Sequence, residues 1–264
     1  MNQTPNSKNM QKIALLIDGD NAQPRLLGKI IAEAGIYGPI TIKRIYGDWT
    51  TSNMRGWKDA LNNYAVQPIQ QFRYTVGKNA TDSALIIDAM DILHSGHVDG
   101  FCIVSSDSDY TRLATRIREA GFFVMGIGEK KTPKAFVNAC NIFIFTENII
   151  HDYEEMEEKP ESQGAAEDIS TSDPVPLIIK AHGMAENEGG WAPLAALGLH
   201  LHQLDPSFDP RTFGFKKLSQ LIQAKKSHFT LRNDDENNLS TVYVKVKAKK
   251  TAKKKPVKKK PVKK

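Results

Sequence analysis

The chain has 264 residues, 40% of them hydrophobic and 25% charged, an ordinary globular composition with room for one large or two modest domains. Its formal net charge of +6 averages unlike parts: residues 245–264 hold 12 lysines and no acid, while residues 1–244 hold 24 basic and 30 acidic residues, a net of −6. Two cysteines, Cys102 and Cys140, lack a metal-spaced partner and exclude a disulfide scaffold or structural zinc, and no apolar stretch approaches the roughly 18 residues of a membrane span.

Met1–Gln11 is polar and lacks the apolar core of a signal peptide, so a cytoplasmic, reducing location is expected. Ile13–Ile17 is a short apolar run of the kind that forms a buried parallel strand. Pro24 opens a helical stretch to Ala34. Thr41–Tyr46 reads as a strand, Ser52–Tyr64 as a helix capped by Ser52, and Ile69–Tyr74 as a weaker strand. Asp82–His94 is helical, Phe101–Ser105 a strand, and Tyr110–Ala120 a helix closed by Gly121. Phe122–Ile127, Pro133–Ala139 and Ile142–Phe145 complete a βαβα alternation. It predicts an α/β fold, a Rossmann-like parallel sheet with helices on both faces, over 11–150.

Residues 151–176 carry nine acids, one lysine, Pro160, Pro174 and Pro176, and read as a solvated linker, with His151–Lys159 as an extension of the last helix. Three helices follow, at Leu177–Glu188, Pro193–Gln203 and Phe213–Lys225, and then a β pair at His228–Leu231 and Thr241–Val246. This order predicts a smaller winged helix-turn-helix domain over 177–247. The tail, 248–264, contains Lys-Lys-Lys-Pro-Val twice, buries nothing, and is expected to be disordered.

In an open α/β sheet, ligands bind beyond the carboxyl ends of the strands. Asp18 follows directly on the first strand, Asp107 and Asp109 follow Phe101–Ser105, and Asp82 starts a helix after the Gly77-Lys78-Asn79 loop. Four carboxylates gathered at one edge repel one another and are tolerable together when cations neutralise them. An all-oxygen donor set with no His or Cys favours Mg²⁺ or Mn²⁺, the equipment of phosphodiester hydrolysis. Any one such Asp has an ordinary reading as a cap or turn former. Asp20 is expected in a turn or supporting the site. Asp88 and Asp91 lie about 240° and 180° around the helix from Asp82, so exposure is expected for both, with Asp88 in reach of a supporting role.

Ile17-Asp18-Gly19-Asp20-Asn21, Lys78-Asn79-Ala80-Thr81-Asp82-Ser83 and Val104-Ser105-Ser106-Asp107-Ser108-Asp109-Tyr110 together resemble the NYN domain, a branch of the PIN-like ribonuclease superfamily, over about 11–148. The resemblance implies metal-dependent RNA cleavage with Asp18, Asp82, Asp107 and Asp109 as catalytic metal ligands. It further implies that Asn21, Thr81, Ser105 and Ser106 support them and that Lys78 meets RNA.

Gly189-Gly190-Trp191-Ala192-Pro193-Leu194 and Phe208-Asp209-Pro210-Arg211-Thr212-Phe213-Gly214-Phe215-Lys216-Lys217-Leu218 resemble the OST-HTH/LOTUS domain over about 175–247. That family is linked to RNA, including structured G-rich RNA, and to protein partners. Gly190 and Trp191 fit a turn and a core anchor, and Phe208 and Phe213 fit the core. Lys216, Lys217, Lys225 and Lys226 are candidate phosphate contacts. Lys253, Lys254 and Lys255 in the tail would add salt-dependent affinity for polyanions.

The leading expectation is therefore a metal-dependent ribonuclease joined to an RNA-binding module. A catalytically idle RNA-binding adaptor is the alternative from the binding class. Asp18-Gly19-Asp20 also resembles the Asp-x-Asp of haloacid-dehalogenase-like phosphatases, which place Thr or Val where Ala22 stands. The acidic linker predicts two domains tethered loosely.

Overall fold

The computed structural model describes residues 12–72, 80–150, 173–234 and 241–247. Six strands form one parallel sheet: β1 (Ile13–Asp18), β2 (Ile40–Gly47), β3 (Gln67–Gln70), β4 (Gly100–Val104), β5 (Phe123–Gly128) and β6 (Ile142–Phe145). The order β3-β2-β1-β4-β5-β6 reverses direction between β1 and β4. At that reversal the chain leaves two adjacent strands toward opposite sides and opens a crevice at their carboxyl ends.

The sheet is covered on both faces, and its central strands are accordingly apolar at consecutive positions, not alternate ones, up to Asp18 at the carboxyl end of β1. All six residues of β1 are buried. Ala14 and Leu16 pack into one core with helices α3 (Ala80–Ser95), α4 (Thr111–Glu119) and α5 (Lys134–Ala139). Ile13, Leu15 and Ile17 pack into the other with α1 (Leu27–Gly35), α2 (Lys58–Tyr64) and α6, helical over 146–150. Along α3, Leu85, Ala89, Ile92 and Leu93 recur at helical spacing and face the sheet.

The second domain comprises α7 (Val175–Ala185), β7 (Ala192–Pro193), α8 (Leu194–Leu204), α9 (Leu218–Ala224), β8 (Phe229–Asp234) and β9 (Thr241–Val246). Ile178, Leu197, Leu201, Phe208, Leu221, Phe229 and Val244 form its own core, with Phe213 packed against it. The β pair gains a third strand, because Ala192 and Pro193 pair with Val244 and Tyr243. The wing is thus tied back to the start of α8.

Several expected boundaries move. Ser52–Trp57 is a 3-10 turn, with Thr51 at the cap and α2 beginning only at Lys58. Strand β3 lies at Gln67–Gln70, N-terminal to the expected Ile69–Tyr74, whose last two residues fall outside the described residues. The third helix of the second domain is divided: Pro210–Phe213 is a 3-10 turn, Gly214 takes a φ of 79°, and α9 starts at Leu218. Helix α7 begins at Val175, so the expected linker ends two residues early. The expected helix His151–Lys159 and the expected disorder over 248–264 also lie outside the described residues.

The two domains touch through an ion-paired seam. Arg211 donates from Nη1 and Nη2 to the two carboxylate oxygens of Glu33 on α1, each at 3.1 Å, and from Nε and Nη2 to Asp209. Arg211, Glu33 and Asp209 side chains are only 15%, 13% and 8% exposed. Burial alone would lower the Arg211 pKa, but hydrogen bonds and charge from Asp209 and Glu33 outweigh it and keep the guanidinium charged. Beside this seam the Phe143 N–H donates to the Pro206 carbonyl at 2.8 Å, capping part of the β6 edge, and Asn148 Nδ2 donates to Thr212 Oγ1 at 2.9 Å. The expectation of a loose tether is replaced by a docked second domain. Removing the cation leaves two carboxylates facing each other away from water, a change that costs about 3–5 kcal/mol when a buried pair is broken. Arg211→Ala should therefore lower the melting temperature and enlarge the particle in small-angle scattering; an unchanged scattering profile and melt would contradict the seam's role.

Candidate metal centre

The centre lies where the sheet topology predicts a ligand crevice, and each acid reaches it by a different local device. Asp18 is the last residue of β1 and is fully buried. Its carboxylate accepts hydrogen bonds from the Asp20 amide (3.1 Å), Asn21 Nδ2 (2.6 Å) and Ser105 Oγ (2.9 Å). The turn that makes this possible needs Gly19: a Cβ there would sit 2.8 Å from the Tyr46 carbonyl oxygen, a backbone atom with no freedom to withdraw. Ser105 then hands the arrangement to the next loop, because its Oγ also accepts from the Asp107 amide at 3.1 Å.

Asp107 in turn caps the 3-10 turn Ser108–Tyr110 by accepting from the Asp109 amide at 3.0 Å. Asp82, in the first turn of α3, accepts from the Tyr110 hydroxyl at 2.7 Å. Thr81 donates to Asp20 at 3.2 Å, pinning the start of α3 to the loop after β1. The outcome is that Asp82, Asp107 and Asp109 each offer a carboxylate oxygen, all three within 4.8 Å of one another. Asp18 is not in that group. It lies beneath, close enough for its charge and that of Asp82 to act on each other.

The electrostatics match a site assembled against repulsion. Burial raises the pKa of Asp18 above the ordinary Asp value, with Asp82 adding to the rise and the Asn21 and Ser105 hydrogen bonds working against it. Asp82 is also raised, first by burial and then by the charges of Asp107, Asp109 and Asp20, against the opposing hydrogen bond from Tyr110. Burial and the surrounding carboxylates push the Tyr110 phenol far up, so it remains a neutral O–H donor. Three carboxylate oxygens with no nitrogen or sulfur form a hard donor set, suited to Mg²⁺ or Mn²⁺.

Other sequence-predicted residues fare differently. Ser106 braces the loop, accepting from the Glu129 amide at 2.9 Å. Asp88 is not solvent-exposed: it pairs with Arg44 and accepts from the Tyr46 hydroxyl, linking α3 to β2 away from the cluster. Asp91 is exposed as expected. Lys225 pairs with Asp173 at 3.4 Å, whereas Lys216, Lys217 and Lys226 are exposed. Lys78, Lys253, Lys254 and Lys255 lie outside the described residues. Trp191 is half-buried at the edge of the wing, not a core anchor. Asp48 also follows a strand directly, yet its carboxylate ties the following turn to β3, accepting from the Thr50 amide and hydroxyl and from Gln70 Nε2. A fully buried Asp18 with three donors on its oxygens is poorly placed to attack phosphorus, as a haloacid-dehalogenase-like phosphatase would require.

Residues 12–150 match the NYN domain family, and residues 170–241 match the OST-HTH/LOTUS domain. The chain belongs to the NYN family, part of the PIN-like ribonuclease superfamily, and carries an OST-HTH/LOTUS domain of the kind that binds RNA. No curated protein matches it. Among solved structures, it is similar to a protein of unknown function from Vibrio parahaemolyticus (19% identity, TM-score 0.45, covering 53% of this chain and 94% of that one). It is also similar to an uncharacterized protein from Nitrosomonas europaea (25% identity, TM-score 0.33, covering 38% and 96%). Among the described residues no helix is long and apolar enough to cross a membrane.

The raised carboxylates fix a sign for metal-free stability. Asp18 and Asp82 bind protons more tightly folded than unfolded. They therefore favour the fold below the ordinary Asp range, near pH 4, and penalise it once pH rises through their folded values. Asp82→Asn keeps an acceptor for Tyr110 and deletes the charge. In EDTA at pH 7 it should melt above the wild type, by about 2–4 °C; a lower melting temperature would refute the repulsion.

Proposed function

We propose that the protein is a metal-dependent ribonuclease, with Asp82, Asp107 and Asp109 holding Mg²⁺ or Mn²⁺ and the second domain binding the RNA. The observation that carries this reading is the convergence of the three carboxylate oxygens within 4.8 Å at the sheet's reversal point. A bound divalent cation supplies positive charge that offsets the charge developing on the scissile phosphate and orients the attacking water. Asp82, Asp107 and Asp109 provide the negative pocket that concentrates the cation there. Asp18 supports them from below through Ser105, which fixes the Asp107 amide. Asn21 fixes Asp18, Thr81 fixes the α3 start, and the Tyr110 hydroxyl holds one oxygen of the Asp82 carboxylate. The docked second domain positions RNA relative to this crevice, and a protein partner on the same module is a further expectation.

Labelled single-stranded and structured RNA, incubated with Mn²⁺, Mg²⁺ or EDTA, tests the reading. Cleavage should require the metal, and Asp82→Asn or Asp107→Asn should lower kcat by about 10²–10⁴-fold, as several kcal/mol of lost charge stabilisation implies. Tyr110→Phe removes only a positioning group and should weaken Mn²⁺ binding by about 10–100-fold. Metal-independent cleavage, or full activity in both Asp variants, would sink the proposal. RNA binding without cleavage under every metal condition would favour the idle adaptor.

A further inference from the structure

The outer face of the second domain's sheet carries an arrangement that the lysines named above do not explain. In the β8–β9 register Arg232 lies opposite Tyr243 and Thr230 opposite Lys245, on the side away from the core residues Phe229 and Val244. Trp191 completes this face from the turn before β7. The Arg232 guanidinium carbon is 4.8 Å from the Trp191 ring centroid and 5.4 Å from that of Tyr243, and Lys245 Nζ is 5.6 Å from the Trp191 ring. Asp234 takes one side of the Arg232 guanidinium at 3.0 Å, leaving that side chain half-exposed.

The presentation of Trp191 is built, not incidental. Asn187 Oδ1 accepts from the Gly189 and Trp191 amides, both at 3.1 Å. The Gly190 amide donates to the Asn187 carbonyl at 2.8 Å, and Gly190 has a φ of 71°, a left-handed turn that favours glycine. Lys245 Nζ closes the turn on the Gly189 carbonyl at 2.9 Å. Two rings and two cations thus stand on one rigid surface, and the lysine-rich segment 245–264 continues directly from β9.

We propose that this face binds unpaired RNA bases, with Trp191, Tyr243 and the Arg232 guanidinium as stacking surfaces and Lys245 meeting phosphate. Aromatic rings and guanidinium planes accept any base by its face, while the flanking cations meet the backbone. A duplex hides those base faces, so charge would be its remaining attraction. The site rests on the RNA-binding part of the reading above and makes it specific: the second domain favours single strands or loops over helical RNA.

The test uses the full chain in EDTA, so that binding is read without cleavage. The probe is an oligouridylate of about 12 nucleotides, against the same strand annealed into a duplex. The single strand should quench tryptophan fluorescence and bind more tightly than the duplex. Trp191→Ala should weaken it by about tenfold with an unchanged slope of log affinity against log salt. Arg232→Gln and Lys245→Gln should each reduce that slope by about one. Trp191→Ala risks the turn, so two companions keep the proposal refutable. Trp191→Phe retains a ring and should keep affinity but lose the quenching, and Tyr243→Leu keeps strand cover and should lose affinity. Equal binding of single strand and duplex, or wild-type affinity in Tyr243→Leu and Trp191→Ala, overturns the proposal. Because the assay contains no metal, its failure leaves the cleavage reading standing.

Discussion

The structure is organised around the repulsion among carboxylates at the reversal point of the sheet. Left alone, Asp82, Asp107 and Asp109 would turn away from one another into water. Two of them are anchored from outside the carboxylate group: Asp82 by the Tyr110 hydroxyl, and Asp107 through its amide on Ser105, which is itself tied to Asp18. The continuous apolar burial of β1 supplies the stability against which this arrangement is maintained. Asp18 lies at the end of that strand, in the last position where a carboxylate is both fixed by the sheet and near the crevice. A site of this kind trades stability for readiness to bind a cation.

The second constraint is the Arg211 seam. One guanidinium satisfies two carboxylates, one on α1 and one in its own loop. Asp209 also accepts from the Arg211 amide at the start of the 3-10 turn, so the same residue shapes the loop and completes the ion pair. Docking gives the second domain a defined place relative to α1, the helix that follows the Asp18 turn. In the proposed ribonuclease, RNA bound to that domain would be held in a fixed relation to the carboxylates.

Much of this was legible in the sequence, for physical reasons. Strands buried on both faces read as unbroken apolar runs, and an Asp immediately after such a run marks the carboxyl edge of the sheet. That is why Asp18 and the Asp107–Asp109 pair stand out. The sequence could not show which of these acids meet. Asp48 has the same local signature and ties its turn to Gln70 on β3, and Asp88 is consumed by Arg44 and Tyr46 on a neighbouring strand. Tyr110 was hidden by its aromatic character: it reads as core, is buried as core, and yet its hydroxyl orients Asp82. The Arg211–Glu33 contact joins residues 178 positions apart, and no periodicity encodes it. Ser52–Trp57 folds as a 3-10 turn with Met54 and Trp57 in the core, and its Ser52, Asn53 and Gly56 are poor α-helix formers.

The most direct measurement of the central claim is X-ray diffraction from crystals grown with Mn²⁺, collected at a wavelength where manganese scatters anomalously. The account predicts an anomalous peak within coordination distance of Asp82, Asp107 and Asp109, lost in crystals of Asp82→Asn. A peak bound elsewhere, with the three carboxylates turned apart in the same crystals, would contradict it.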